Sequence, residues 1–162
     1  MELAEIGKNI LTNCMNVKPG ENVLIVTDDE KYAIGQALYQ AAKLLKAEAM
    51  LMTMTAREVS GQEPPAVVAA AMKAADVVIC PMKTSITHTR AKIEAAEAGA
   101  RIATMPGITE EMFAMGAMTA DYSRVMALTE QVTDLLTNAN TARIEKDGHV
   151  VTLDLRGRRG VS

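Results

Sequence analysis

Aromatic side chains are nearly missing from this chain. It has no tryptophan, one phenylalanine (Phe113) and three tyrosines (Tyr32, Tyr39 and Tyr122). Base stacking on aromatic platforms is therefore poorly supplied. Seventeen basic and twenty acidic residues are interspersed, for a formal net charge of -3. No broad basic face is implied, and no nucleic-acid partner is expected. Cysteines number two, Cys14 and Cys80, outside any Cys-x-x-Cys motif. They read as reduced, partly buried thiols in a reducing compartment. The only histidines are His88 and His149, too few for a metal site without carboxylate help, since such a site wants three or four converging ligands. No apolar run approaches the about 20 residues of a membrane span. The opening MELAEIGKNILTNCM lacks the apolar stretch of a signal sequence. A cytoplasmic protein with no membrane partner is expected.

What the chain does have is hydrophobic volume without rings. Apolar residues make up 49% of its 162 residues, and twelve of them are methionines, which fill core space loosely. This length suits one core. From Glu2 to Met15 the residues Leu3, Ile6, Ile10, Leu11 and Met15 recur at helical spacing. Asn22–Thr27 (NVLIVT) is a short, almost continuous apolar run, the pattern of a strand buried on both faces. Asp28 or Asp29 is placed to cap a helix over about 30–46. Ala49–Met54 reads as a second strand. Pro64 and Pro65 open a helix over 66–75, and Asp76–Cys80 is a third strand. A polar loop follows, then a helix over about 88–98 ended by Gly99. Ile102–Thr104 is a fourth strand. Thr109 caps a helix with Glu110 and Glu111 in its first turn, and one more helix spans 121–138. Repeated β-α units predict a Rossmann-like, mostly parallel α/β sheet with helices on both faces.

The last residues break this rhythm. Thr141–Lys146 and His149–Leu155 alternate around Asp147-Gly148, a strong hairpin signal. A lone hairpin is marginal, so this one is expected to lead into a second domain. The division expected is a Rossmann-like domain over 1–140, with the hairpin and the start of a C-terminal catalytic domain over 141–162.

No self-contained active site emerges from the residues. Glycine-rich nucleotide motifs and the Gly-x-Ser-x-Gly elbow are absent. Asp28-Asp29 resembles the acid pair that opens a receiver domain, but the third strand ends Ile79-Cys80-Pro81-Met82 without the acid such a domain phosphorylates. The densest polar cluster is Lys83 to Arg90 (KTSITHTR). It follows a strand and opens a helix, where sheets of this kind collect anionic ligands; a hydroxyl-rich helix cap with a surface histidine explains it slightly better. Ser85, Thr87, His88 and Arg90 are the cleft-facing candidates. Ser85 and His88 lack the orienting acid of a catalytic triad, so no catalytic residue and no metal ligand is assigned.

Four segments carry a resemblance: VKPGENVLIVTD (17–28), GQEPPAVVAAAMKAADVVI (61–79), TSITHTRAKIEAAEAGARIATMPGITEEMF (84–113) and TLDLRGRRG (152–160). Together they resemble the N-terminal part of the thermophilic metallopeptidases, the family of aminopeptidase T and related leucyl aminopeptidases. Glu-Pro-Pro, Ser-x-Thr-His-Thr and Met-Pro-Gly are its more specific marks. The resemblance implies the non-catalytic domain of a two-domain hydrolase that releases N-terminal amino acids from short peptides. It implies two divalent metals held by an absent C-terminal domain, no cofactor in this stretch, and a homodimer. This domain would wall the cleft, aid dimerisation and be inactive alone. Ring-opening dioxygenases acting on dihydroxypyridine resemble the same family and stand as the alternative, beside a stand-alone small-ligand-binding module.

Overall fold

The computed structural model describes residues 3–161. The predicted first helix is present as α1, Leu3–Asn13; Glu2 lies outside the described residues. The β-branched run after it forms β1 (Asn22–Asp28), buried from Val23 onward. Then come α2 (Tyr32–Leu44), β2 (Glu48–Met54), α3 (Ala66–Ala74), β3 (Val77–Met82), α4 (Arg90–Glu97), β4 (Arg101–Pro106) and α5 (Glu110–Ala114). All four strands pair in parallel in the order β2-β1-β3-β4. The expected Rossmann-like, mostly parallel α/β architecture is therefore present.

Side-chain alternation along the central strands sorts the core into two layers. Val23, Ile25, Val77 and Ile79 face one way, into a cluster with Ile6, Leu11, Ile34, Leu38 and Phe113 from the helices. Leu24, Val26, Val78 and Cys80 face the other way and meet Val68, Met72, Ala91 and Ala95 of α3 and α4. Burial on both faces is why β1 and β3 carry no alternating polar pattern.

Local signals hold where the cap is a neighbour in sequence. Pro65 starts α3, and Thr109 Oγ1 accepts from Met112 N at the start of α5. Gly99 leaves α4 at φ 105°, a conformation open to glycine. One expected cap is absent. Neither Asp28 nor Asp29 caps α2, whose N-cap is Lys31 without a side-chain bond. Asp28 is the last residue of β1, and both acids serve other backbone groups.

The chain divides into two compact units, one running to Thr119 and one from Ala120 on. In the second, Asp121 caps α6 (Tyr122–Asn138) by accepting from Arg124 N. β5 (Thr141–Lys146) and β6 (His149–Asp154) form the predicted antiparallel hairpin, a separate two-stranded sheet. Asp147 and Gly148 both take positive φ, 51° and 79°, as a type I′ turn demands. Apolar side chains of this unit stay exposed, among them Leu128, Val132, Leu135, Ile144 and Val151. Among the described residues, no helix is long and apolar enough to cross a membrane.

The two thiols differ more than expected: both are free, but Cys14 is exposed and Cys80 is buried. Burial pushes the Cys80 thiol up to about 12, so at neutral pH it stays protonated and inert. A thiol reagent is expected to label Cys14 in the folded protein and Cys80 only after denaturation. Peptide mapping by mass spectrometry checks this, and rapid native labelling of Cys80 would contradict the packing of β3.

Candidate functional site

In a doubly wound sheet the natural ligand crevice opens where successive crossovers leave in opposite directions, at the carboxyl ends of adjacent strands. Here that point lies between β1 and β3. Their ladder runs Val23↔Val77, Leu24↔Val78 and Ile25↔Ile79, and then stops. Past it Pro81 has no N–H to offer. Side chains of β1 close the gap instead. Thr27 Oγ1 donates to the Pro81 carbonyl at 2.9 Å. The Asp28 carboxylate, fully buried, accepts from Lys83 N at 2.6 Å and from Lys31 N at 3.0 Å. It thereby ties the exits of both strands to the approach to α2. Asp29 accepts from Ala56 N at 2.9 Å, holding the loop after β2. A Cβ on Gly35 would stand 2.9 Å from Thr27 Cβ, so glycine lets α2 lie directly on the end of β1. The crevice is filled by the chain's own groups.

The polar loop after β3 is likewise interlocked with the loop after β2. Gly61 N donates to Ser85 O at 2.8 Å, and Ser85 N donates to Ser60 Oγ at 3.2 Å. The Glu63 carboxylate accepts from Arg90 N at 2.6 Å and Ala91 N at 3.2 Å. Thr89 Oγ1 accepts from Lys92 N. The helix N-terminus that could attract an anion thus already holds an internal one.

The four cleft candidates separate into two kinds. Ser85 and Thr87 belong to a partly buried hydroxyl chain: Ser85 Oγ donates to Thr87 Oγ1 at 2.9 Å, and Thr87 Oγ1 lies 2.9 Å from Thr104 Oγ1. Next to them Thr84 Oγ1 is buried without a partner among the described residues. His88 and Arg90 are exposed. Arg90 reaches Glu94 at 3.4 Å, and no hydrogen bond holds His88 among the described residues. Lys83 joins Glu30 at 2.6 Å, and that carboxylate raises the Lys83 pKa. Asp28, Glu63 and Thr104 were missed as members of this cluster. Only Asp28 had a signal, an acid at a strand's carboxyl end.

Metal chemistry needs a converging donor set. Among the described residues no three His, Cys, Asp or Glu side chains could hold an ion. His88 belongs to the first compact unit and His149 to the second.

The family model for NicX, 2,5-dihydroxypyridine 5,6-dioxygenase, matches residues 2–161. Among solved structures, the chain is similar to a 2,5-dihydroxypyridine dioxygenase from Pseudomonas putida KT2440, with a TM-score of 0.65 and 18% identity. That match covers 94% of this chain and 46% of the other, so this chain spans about half the length of its structural relative. No curated protein matches the sequence.

These findings overturn the aminopeptidase reading, and with it the hydrolase activity and the two-metal peptidase centre implied for the complete enzyme. The physical reason for the misreading lies in the marks that carried it. Glu63 of Glu-Pro-Pro caps α4 and Pro65 starts α3. Thr89 of Ser-x-Thr-His-Thr caps α4. Gly107 of Met-Pro-Gly, at φ 67°, donates to Met82 O at 2.8 Å. These residues build the scaffold and carry no information about the reaction. The match over residues 2–161 decides between the two families: this chain belongs to the NicX, or 2,5-dihydroxypyridine 5,6-dioxygenase, family.

Proposed function

We propose that this chain is the α/β domain of an enzyme that opens a dihydroxypyridine ring with dioxygen. The observation that carries the reading is the family match along residues 2–161. Both oxygen atoms enter the product of a dioxygenase, so the ring is cleaved without an external reductant. Oxygen activation of this kind commonly draws on iron held by two histidines and a carboxylate. The described residues do not fit such a site.

The domain's contribution is positioning. The hydroxyls of Ser85, Thr87 and Thr104 form a rigid polar shelf, with His88 and Arg90 beside it on the exposed rim. A shelf of this kind offers hydrogen bonds to the hydroxyl and ring-nitrogen groups of a dihydroxypyridine. Glu63 and Asp28 hold its two ends in place.

The native polypeptide, purified from its source and supplied with ferrous iron, is expected to consume 2,5-dihydroxypyridine and oxygen in equal amounts. Loss of ring absorbance and an oxygen electrode check this together. The 162-residue chain by itself is expected to be inactive. Absence of oxygen uptake by the iron-loaded native polypeptide, over a range of dihydroxypyridine isomers, would remove the proposal.

A further inference from the structure

The two edges of the parallel sheet are treated differently. At one edge, β4 is blunted in the ways edge strands usually are. It begins with the charged Arg101, which bonds Glu21 at 2.7 Å, and ends with Pro106, which lacks an N–H. At the other edge, β2 (EAMLMTM) has no proline and no lysine, and its single charge is Glu48 at its first residue. All seven of its residues pair in unbroken register with β1, from Asn22↔Glu48 to Asp28↔Met54. Every other residue of its outer side therefore presents an unpaired N–H and C=O. A groove of about 800 Å³ runs along this edge, lined by Met50 and Met52, by Tyr39 on the α2 side, and by Ala71 and Ala74 on the α3 side. Met50 is 41% exposed and Val67, one turn before Ala71, is 71% exposed.

We infer that β2 is an interface that takes a second copy of this chain, antiparallel, about a two-fold axis at Leu51. A two-fold axis perpendicular to a sheet edge places the same strand against itself in opposite directions. Leu51 is the middle of the strand, so only an axis there engages all seven residues. It sets Leu51 opposite Leu51, Met50 opposite Met52, and Ala49 opposite Thr53. Glu48 falls opposite Met54, so the two carboxylates lie at opposite ends of the ladder and no like charges meet. The result is a continuous eight-stranded sheet. A paired strand alone buries less than the roughly 1,200 Å² of a stable interface. The small alanines of α3 and the Tyr39 side of α2 supply further surface, because they let the flanking helices of the two copies approach. This pairing is independent of the reaction proposed above.

Sedimentation of the full chain across micromolar concentrations is expected to show a dimer. Met50→Lys places a charge beside the mate's Met52 in both copies and is expected to weaken the dimer by at least about tenfold, with unchanged far-ultraviolet circular dichroism. Should that variant fail to fold, Thr53→Lys, at an exposed position, repeats the test. The register has its own readout. In a Cys14→Ser background, Ala49→Cys and Thr53→Cys proteins are expected to cross-link with a short thiol reagent when mixed, because opposed Cβ atoms lie about 5 Å apart. Neither is expected to cross-link efficiently alone. A chain that stays monomeric, a dimer that survives both lysine variants, or a dimer whose mixed cysteine variants do not cross-link would each overturn the inference.

Discussion

Asp28→Ala is expected to destabilise the first unit by about 2 kcal/mol, lowering its melting temperature by roughly 7 °C. The carboxylate is fully buried and accepts two backbone N–H groups, from Lys83 and Lys31. Alanine leaves the Lys83 N–H without its partner, whereas the Lys31 N–H keeps its 3.1 Å bond to the backbone carbonyl of Asp28, and an unmade bond beside a buried strand end costs more than a made one gains. Asp28→Asn separates the contributions. Its amide oxygen still accepts from one donor, but its NH₂ faces the other, so it is expected to recover less than half of the loss. Thermal unfolding followed by circular dichroism checks both variants. A loss below about 1 kcal/mol for alanine would mean that solvent reaches the ends of β1 and β3. On the function proposed above, the same substitution in the native polypeptide is expected to raise KM for the substrate, because Lys83 begins the loop that carries Ser85 and Thr87.

Phe113→Ala is expected to cost about 3–5 kcal/mol, the range for emptying a buried aromatic site. Phe113 is the chain's one phenylalanine. It is fully buried and anchors α5, a helix of five residues that is too short to be stable by itself. Its ring joins the cluster that holds Ile6, Ile10, Ile34 and Leu38, so α1, α2 and α5 share one layer. Phe113→Leu refills most of the volume and is expected to cost clearly less. Urea unfolding of the two variants measures the difference. Equal and small losses would show that the layer closes up without the ring.

Much of this architecture was legible because its causes are local. NVLIVT has one reading, a strand covered on both faces, and β1 is buried from Val23 to Asp28. Thr109 stands three residues before the amide it caps, Met112 N. Asp147-Gly148 forces the hairpin through its own backbone angles. The caps that were missed cross long stretches of chain. Glu63 lies 27 residues before the amide of Arg90 that it holds, and Asp28 lies 55 before that of Lys83. Pairings of that length carry no periodic signal. Each acid also had a cheaper local explanation, a loop residue or the cap of the next helix.

The chemistry was hidden for a related reason. Glu63 and Pro65 of Glu-Pro-Pro, Thr89 of Ser-x-Thr-His-Thr and Gly107 of Met-Pro-Gly cap α4, start α3 and leave β4, so these residues mark the scaffold and do not tell one reaction from another. The sequence by itself determined the alternation of strands and helices, the parallel sheet and the closing hairpin, because hydrophobic period and turn chemistry act over a few residues. Tertiary structure alone decided that β1 lies beside β3, that Asp28 and Thr27 seal the crevice between them, and that Glu63 fills the helix end where an external anion could have bound. Those outcomes depend on which distant backbone groups are left unpaired when the sheet closes, and burial makes satisfying them obligatory.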